Sequence, residues 1–212
     1  MKVGITMRVT QESSYYEERD TVSHDWLSFL QSMRCEIQLI PNIIPYTKNL
    51  KVDALILSNG NDIGLNKMRD NVELKLFEHA LEKKIPVLGV CRGMQFMNSY
   101  FKGRLDRIGE IGFHVNQNHL VHIADKKFEH IMGSQLFVNS FHHYGVYSKN
   151  VSSTLKMFAC HRRDDVCEGL YHPELPLLGI QWHPERVVPD DQKSRKLIDC
   201  FLKGDFFWME RS

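Results

Sequence analysis

Three observations predict an α/β fold, a doubly wound and mostly parallel sheet with flanking helices and added antiparallel strands. Short apolar runs alternate with helix-period segments through the first half of the chain. One of those runs ends in Gly89-Val90-Cys91-Arg92-Gly93, a cysteine between two glycines where a strand gives way to a helix. In the second half the helical period fades from Leu105 onward, and shorter strand runs broken by turn residues take over.

Taken in order, residues 3–7 form the first strand. Val22, Trp26, Phe29, Leu30 and Met33 recur at helical spacing behind two capping residues, Asp20 and Ser23, which predicts a helix over 22–33. Residues 36–40 read as a strand closed by Pro41, whereas 41–51, with Pro45, has no period. The stretch 54–62 starts as a strand and stops at a turn sequence containing Gly60. After Asp70, the residues Val72, Leu76, Phe77, Ala80 and Leu81 share one helix face. A buried strand over 84–90 leads into the glycine-flanked cysteine, and Met94, Phe96 and Met97 begin the next helix. Further strands are predicted at 119–123, 155–160 and 168–171, with Arg163-Asp164-Asp165 as a turn, and an apolar strand from Leu177 ends in His183. The last helix covers 191–202 and buries Leu197, Ile198 and Phe201, and the tail Phe206-Phe207-Trp208 docks on the fold or mediates a contact. No repeat, low-complexity run or linker divides the chain, so 1–212 reads as one domain.

Composition narrows the function classes. The 212 residues suffice for one α/β domain with a substantial core and leave no room for an ATP-using synthetase domain. A net charge of +1, with both signs interspersed, offers no polyanion-binding face, so nucleic acid is not an expected partner. No signal-like apolar segment opens the sequence and no run approaches the ~20 residues that span a bilayer, so no membrane partner and a cytoplasmic location are expected. Cys35, Cys91, Cys160, Cys167 and Cys200 are an odd set in a chain too large to need staples, which favours reduced thiols. Eleven histidines and the Cys160-His161 to Cys167 stretch raise the question of a metal. Structural zinc draws on close cysteine pairs, and the wider gap here reads as a hairpin with cysteines on facing strands, so no metal is expected.

The chemistry starts at Cys91. Alone it could be a small buried hydrophobe. Between two glycines at a strand-to-helix turn it becomes a nucleophile elbow, with the helix N-terminus favouring thiolate over thiol. Leu177-Leu178-Gly179-Ile180-Gln181-Trp182-His183-Pro184-Glu185 supplies a base and an orienting carboxylate from a later strand end. Glu185 would fix the tautomer of His183 and leave its other nitrogen for Cys91. Acyl transfer also needs oxyanion donors, and the natural pair is the backbone amides of Arg92 and Gly60.

Together these motifs resemble the class I glutamine amidotransferase family, whose signature is G-x-C-x-G with a later H-P-E, and the resemblance covers nearly the whole chain. Arg92-Gly93-Met94-Gln95 and Asn139-Ser140-Phe141-His142-His143 are similar to its free-standing γ-glutamyl hydrolase branch, peptidase family C26, and differ from the H-S-type motif of ammonia-feeding subunits. The resemblance implies a small-molecule γ-glutamyl amide substrate, glutamate as product, and neither metal nor organic cofactor. It implies that Gln95 holds the α-amino or α-carboxylate end of the γ-glutamyl group, an exposed helix glutamine being the alternative. Ser140, Phe141, His142 and His143 would form the pocket wall, with solvent exposure of the adjacent histidines as the alternative. Asn59 stands where members often have glycine, and its side chain could touch substrate. Within the branch, Gly4-Ile5-Thr6-Met7-Arg8 and Tyr15-Tyr16-Glu17-Glu18-Arg19-Asp20 resemble members that cleave a γ-glutamyl amide linked to cytidine diphosphate in capsular phosphoramidate synthesis. That makes Arg8, Tyr15, Tyr16 and Arg19 a lip able to hold base and diphosphate, against a solvated loop as the alternative. Hydrolysis of γ-glutamyl-GABA in polyamine catabolism and a glutaminase subunit serving a partner synthetase remain open, as does a homodimer.

Overall fold

The first strand, β1 (Lys2–Thr6), is buried from residue 3 onward because it lies inside a sheet with neighbours on both edges. It pairs in parallel with β4 (Glu36–Ile40) on one side and β5 (Ala54–Leu57) on the other. β6 (Val87–Val90) and β13 (Leu177–Ile180) extend the parallel set beyond β5. Every residue of β5, β6 and β13 is buried, and strands covered on both faces read as continuous apolar runs, as these do. β12 (Val166–Tyr171), β11 (Lys156–His161), β8 (Val115–Ile123) and β9 (Gln135–Phe141) follow antiparallel, giving the order β4-β1-β5-β6-β13-β12-β11-β8-β9. β10 (Tyr144–Tyr147) pairs with β12, and the short β7 (Asp106–Arg107) pairs with β10. A separate hairpin joins β2 (Arg8–Gln11) and β3 (Glu18–Thr21). The computed structural model describes residues 1–44, 50–108, 114–187 and 190–209; Pro45 and much of the periodless stretch around it fall outside them.

Helices cover both faces, as double winding requires. On one face α1 (His24–Ser32) and α5 (Asp191–Leu202) bury Trp26, Phe29, Leu30, Leu197, Ile198 and Phe201 in one cluster. On the other, α2 (Lys67–Lys83) and α3 (Arg92–Tyr100) bury Val72, Leu76, Phe77, Ala80, Phe96 and Met97. The chain winds from β1 out to β4 and returns to β5 on the far side of β1. That reversal opens a crevice at the carboxyl ends of the strands, the usual ligand site of such sheets.

Several expectations change. α2 begins three residues before Asp70, because the Asn66 side chain accepts from the amide of Arg69 at 2.9 Å and caps the helix there. The helical pattern does not end at Leu105. α4 (Lys126–Met132) is too short to show a period in sequence, yet it is capped by Asp125 and buries Phe128, Ile131 and Met132. Residues 135–141, not predicted as a strand, form β9 along β8. The aromatic tail docks within the chain: Trp208 is fully buried and stacks on Phe128 and Phe201. Cys160 and Cys167 do face each other across β11 and β12.

Candidate active site

Cys91 follows β6 directly, with φ 53° and ψ −104°. A non-glycine residue held there stores roughly 1–3 kcal/mol of strain, and surrounding structure must impose it. Its amide donates to the Ile180 carbonyl at 2.8 Å, while its own carbonyl accepts from Gln95 at 3.2 Å and starts α3. The flanking glycines answer to close packing. A Cβ on Gly93 would lie 2.1 Å from the Leu57 carbonyl oxygen, and one on Gly89 would lie 2.6 Å from the Gly93 backbone. α3 therefore rests directly on β5 and β6 with its positive end at Cys91.

Parallel pairing of β13 with β6, with Ile180 opposite Val90, carries His183 to the same sheet end as Cys91. His183 is buried, and its Nδ1 lies 2.8 Å from Glu185 Oε1. A carboxylate accepts, so Nδ1 carries the proton and Nε2 is left for Cys91. Nε2 makes no well-formed hydrogen bond among the described residues, although thiol and imidazole interact. Burial alone would push the imidazole down. Glu185 and Cys91 outweigh it and raise the His183 pKa to about 9. Asn139 clamps the His183 backbone on both sides: its Oδ1 accepts from the amide at 2.8 Å and its Nδ2 donates to the carbonyl at 2.9 Å.

The turn after β5 is held from behind. Arg69, fully buried, donates to the carbonyls of Ser58 at 2.9 Å, Asn59 at 3.1 Å and Gly60 at 2.8 Å. Its Nε meets Glu73 at 3.1 Å, and Glu73 also accepts from Thr6 at 2.8 Å and from Arg92. Burial works against the Glu73 carboxylate, but the two guanidiniums hold its pKa below the ordinary value. The Arg92 side chain is thus committed to Glu73 and Asp70. Gly60 has φ 84°, and a Cβ there would press on Arg8 at 2.9 Å.

A cavity of about 220 Å³ joins these parts and is lined by Cys91, His183, Gly60, Asn59, Gln95, Phe141, His142, His143 and Arg8, with Arg186 and Tyr144 among the rest. Gln95 is buried, and its Nε2 donates to the Tyr144 carbonyl at 2.7 Å. His142 is buried with its pKa pushed down by burial to about 4, whereas His143 is exposed. Three expectations need correction. Asn59 borders the cavity, but its side chain is taken up by protein groups: Trp26 donates to Oδ1 at 3.0 Å, turning Nδ2 onto the His183–Glu185 pair, 3.1 Å from His183 Nδ1 and 3.4 Å from Glu185 Oε1. Ser140 is fully buried, with its hydroxyl donating to the His114 carbonyl at 2.9 Å, and does not reach the cavity. Tyr15, Tyr16 and Arg19 sit on the exposed β2–β3 hairpin outside the cavity lining, where Glu12, Glu17 and the Tyr15 hydroxyl occupy Arg19.

The peptidase C26 family model matches residues 51–185, from the approach to β5 through Glu185. The chain belongs to the peptidase C26 family. The γ-glutamyl-CDP-amidate hydrolase of Campylobacter jejuni is 30% identical over 202 residues, covering 88% of this chain and 90% of that protein. One subunit of the glutamine-hydrolysing GMP synthase of Pyrococcus furiosus is 31% identical over 160 residues, covering 74% of this chain and 79% of that one. A glutamine amidotransferase structure from Thermotoga maritima superposes with a TM-score of 0.66 at 16% identity, over 96% of this chain and 83% of that one, and shares the fold. The C26 chain is accordingly an amide hydrolase of the γ-glutamyl hydrolase or glutamine amidotransferase type. Among its described residues no helix is long and apolar enough to cross a membrane.

Sequence reasoning missed four residues of this C26 site. Arg69 carries a weak signal as an i,i+4 partner of Glu73 on α2. Trp26 reads as core, and Asn139 reads only as part of a motif. Arg186 lies just past Glu185, lines the cavity and stacks over the Phe141 ring at 4.3 Å, a contact visible only in three dimensions.

Proposed function

We propose that this C26 enzyme hydrolyses a γ-glutamyl amide through a Cys91-His183-Glu185 triad. The observation that carries the reading is a thiol on a strained elbow at a helix N-terminus, against an imidazole whose pKa Glu185 and Cys91 raise to about 9. In the mechanism, Cys91 thiolate attacks the γ-carbonyl and the amides of Gly60 and Arg92 receive the oxyanion. Protonated His183 donates to the leaving nitrogen as the C–N bond breaks, leaving a γ-glutamyl thioester. Neutral His183 then takes a proton from water, hydroxide adds to the thioester, and glutamate departs as thiolate and imidazolium re-form.

The cavity of about 220 Å³ suits a γ-glutamyl group, so a larger leaving group extends past its lining. Arg8 and Arg186 line it, and two guanidiniums favour an anionic leaving group such as a diphosphate. With the similarity to the Campylobacter enzyme, this supports a γ-glutamyl-CDP-amidate as substrate and cytidine diphosphoramidate as product, in capsular polysaccharide phosphoramidate synthesis. Likeness to part of a GMP synthase supports a second reading, glutamine hydrolysis for a partner synthetase. Glutamate release from glutamine, γ-glutamyl-GABA and γ-glutamyl-CDP-amidate, with Cys91→Ala as control, separates these. A strong preference for the nucleotide amidate is expected. A preference for γ-glutamyl-GABA reassigns the leaving group, and turnover of glutamine only beside a synthetase supports the second reading.

A further inference from the structure

Outside the Cys91 group, a second set of titratable side chains gathers where β8, β11, β12 and the β9–β10 turn meet. Its centre is Glu168 on β12, fully buried, and neither carboxylate oxygen has a well-formed hydrogen bond among the described residues. Three buried imidazoles surround Oε1: His119 Nε2 at 3.3 Å, His114 Nδ1 at 3.6 Å and His142 Nε2 at 3.9 Å. A carboxylate buried this way is costly unless positive charge meets it.

The outer hydrogen bonds fix the tautomers. His142 Nδ1 lies 2.9 Å from the Tyr144 carbonyl, which can only accept, so Nδ1 holds the proton and the Nε2 lone pair turns inward. His114 Nε2 lies 2.7 Å from Asp164 Oδ2, so by the same logic its Nδ1 lone pair turns inward. Neither His114 Nδ1 nor His142 Nε2 has a hydrogen-bond partner among the described residues. Two lone pairs aimed at a carboxylate oxygen repel it, and a cation between them turns that repulsion into attraction. The spacing agrees: tetrahedral zinc with bonds of about 2.0–2.1 Å separates neighbouring ligand atoms by about 3.4 Å. Asp164 behind His114 and the Tyr144 carbonyl behind His142 are the kind of acceptor that orients metal-binding histidines.

We propose that His114 Nδ1, His142 Nε2 and Glu168, whose ligand atoms all lie within 4.8 Å of one another, bind a divalent ion of the zinc class. Imidazole and carboxylate donors together suit zinc over magnesium or calcium, which prefer oxygen alone. The ion ties β8 and β12 to the β9–β10 turn, whose His142, His143 and Tyr144 line the Cys91 cavity. The expectation of no metal rests on cysteine spacing, whereas these ligands come from three separated segments that meet only in the fold.

The test uses the untagged full chain, incubated with zinc, dialysed against metal-free buffer and analysed by elemental mass spectrometry. About one zinc per chain is expected to remain. His114→Ala and Glu168→Gln are expected to lower retention about tenfold or more, and Cys160→Ser to leave it unchanged. Wild type that retains less than about a tenth of an equivalent overturns the proposal, as does undiminished retention in both variants. If a variant fails to fold, cobalt loading of the wild type decides. Tetrahedral bands removed by about one equivalent of zinc support the site, and their absence overturns it.

Discussion

Replacing Arg69 with methionine removes a buried charge and three backbone clamps while keeping most of the side-chain volume. Glu73 would retain Thr6 at 2.8 Å and Arg92, but would lose the guanidinium at 3.1 Å. Breaking a buried ion pair from one side costs about 3–5 kcal/mol, and the surviving partners place this case near 3 kcal/mol. The catalytic cost has a separate origin. With the carbonyls of Ser58, Asn59 and Gly60 released, the Gly60 amide loses its fixed aim, and loss of one oxyanion donor costs about 10²–10³ in rate. Adding Glu73→Gln neutralises the abandoned carboxylate and regains part of the stability without restoring the clamp. Urea unfolding and kcat/KM for glutamate release therefore part company: the double variant recovers stability and stays slow. A single variant within about threefold of wild-type kcat/KM, or a double variant that recovers rate, would refute the clamp.

Because the His183 pKa is raised to about 9, the imidazolium needed to protonate the leaving nitrogen is present below that pH and lost above it, so kcat/KM should fall as pH rises through about 9. Glu185→Gln should move that alkaline limb toward the ordinary value of 6.5 and slow the reaction by about 10²-fold or more; an unmoved limb contradicts the assigned cause. Gly93→Ala places a Cβ 2.1 Å from the Leu57 oxygen, forcing α3 to shift by nearly an ångström. Thermal unfolding should report about 1–3 kcal/mol lost and kinetics about a 10²-fold drop in kcat. Trp26→Phe removes the donor 3.0 Å from Asn59 Oδ1, and should cost about 1 kcal/mol and lower kcat with KM unchanged. An unchanged kcat would remove Asn59 from the support of the His183–Glu185 pair.

The parallel core was legible because burial on both faces makes β5, β6 and β13 continuous apolar runs, and because Gly89 and Gly93 mark where helix and strand nearly touch. The pairing of His183 with Glu185, 2.8 Å apart, was legible because one strand end carries both. α4 and β9 were not, since two helical turns and a half-exposed strand carry little periodicity. Ser140 and Asn59 show why motif membership does not fix a role. Each side chain answers to a neighbour distant in sequence, the His114 carbonyl for one and the Trp26 indole for the other. Arg69 carried only a weak i,i+4 signal and Glu168 none, since most of their partners are brought to them by the sheet.

The most direct test of the central claim is intact-mass analysis of enzyme quenched during turnover of a γ-glutamyl amide, with peptide mapping of any adduct. A γ-glutamyl thioester on Cys91, absent in Cys91→Ala along with glutamate release, is the predicted result. Glutamate release that persists in Cys91→Ala, or an acyl group carried by another residue, would contradict it.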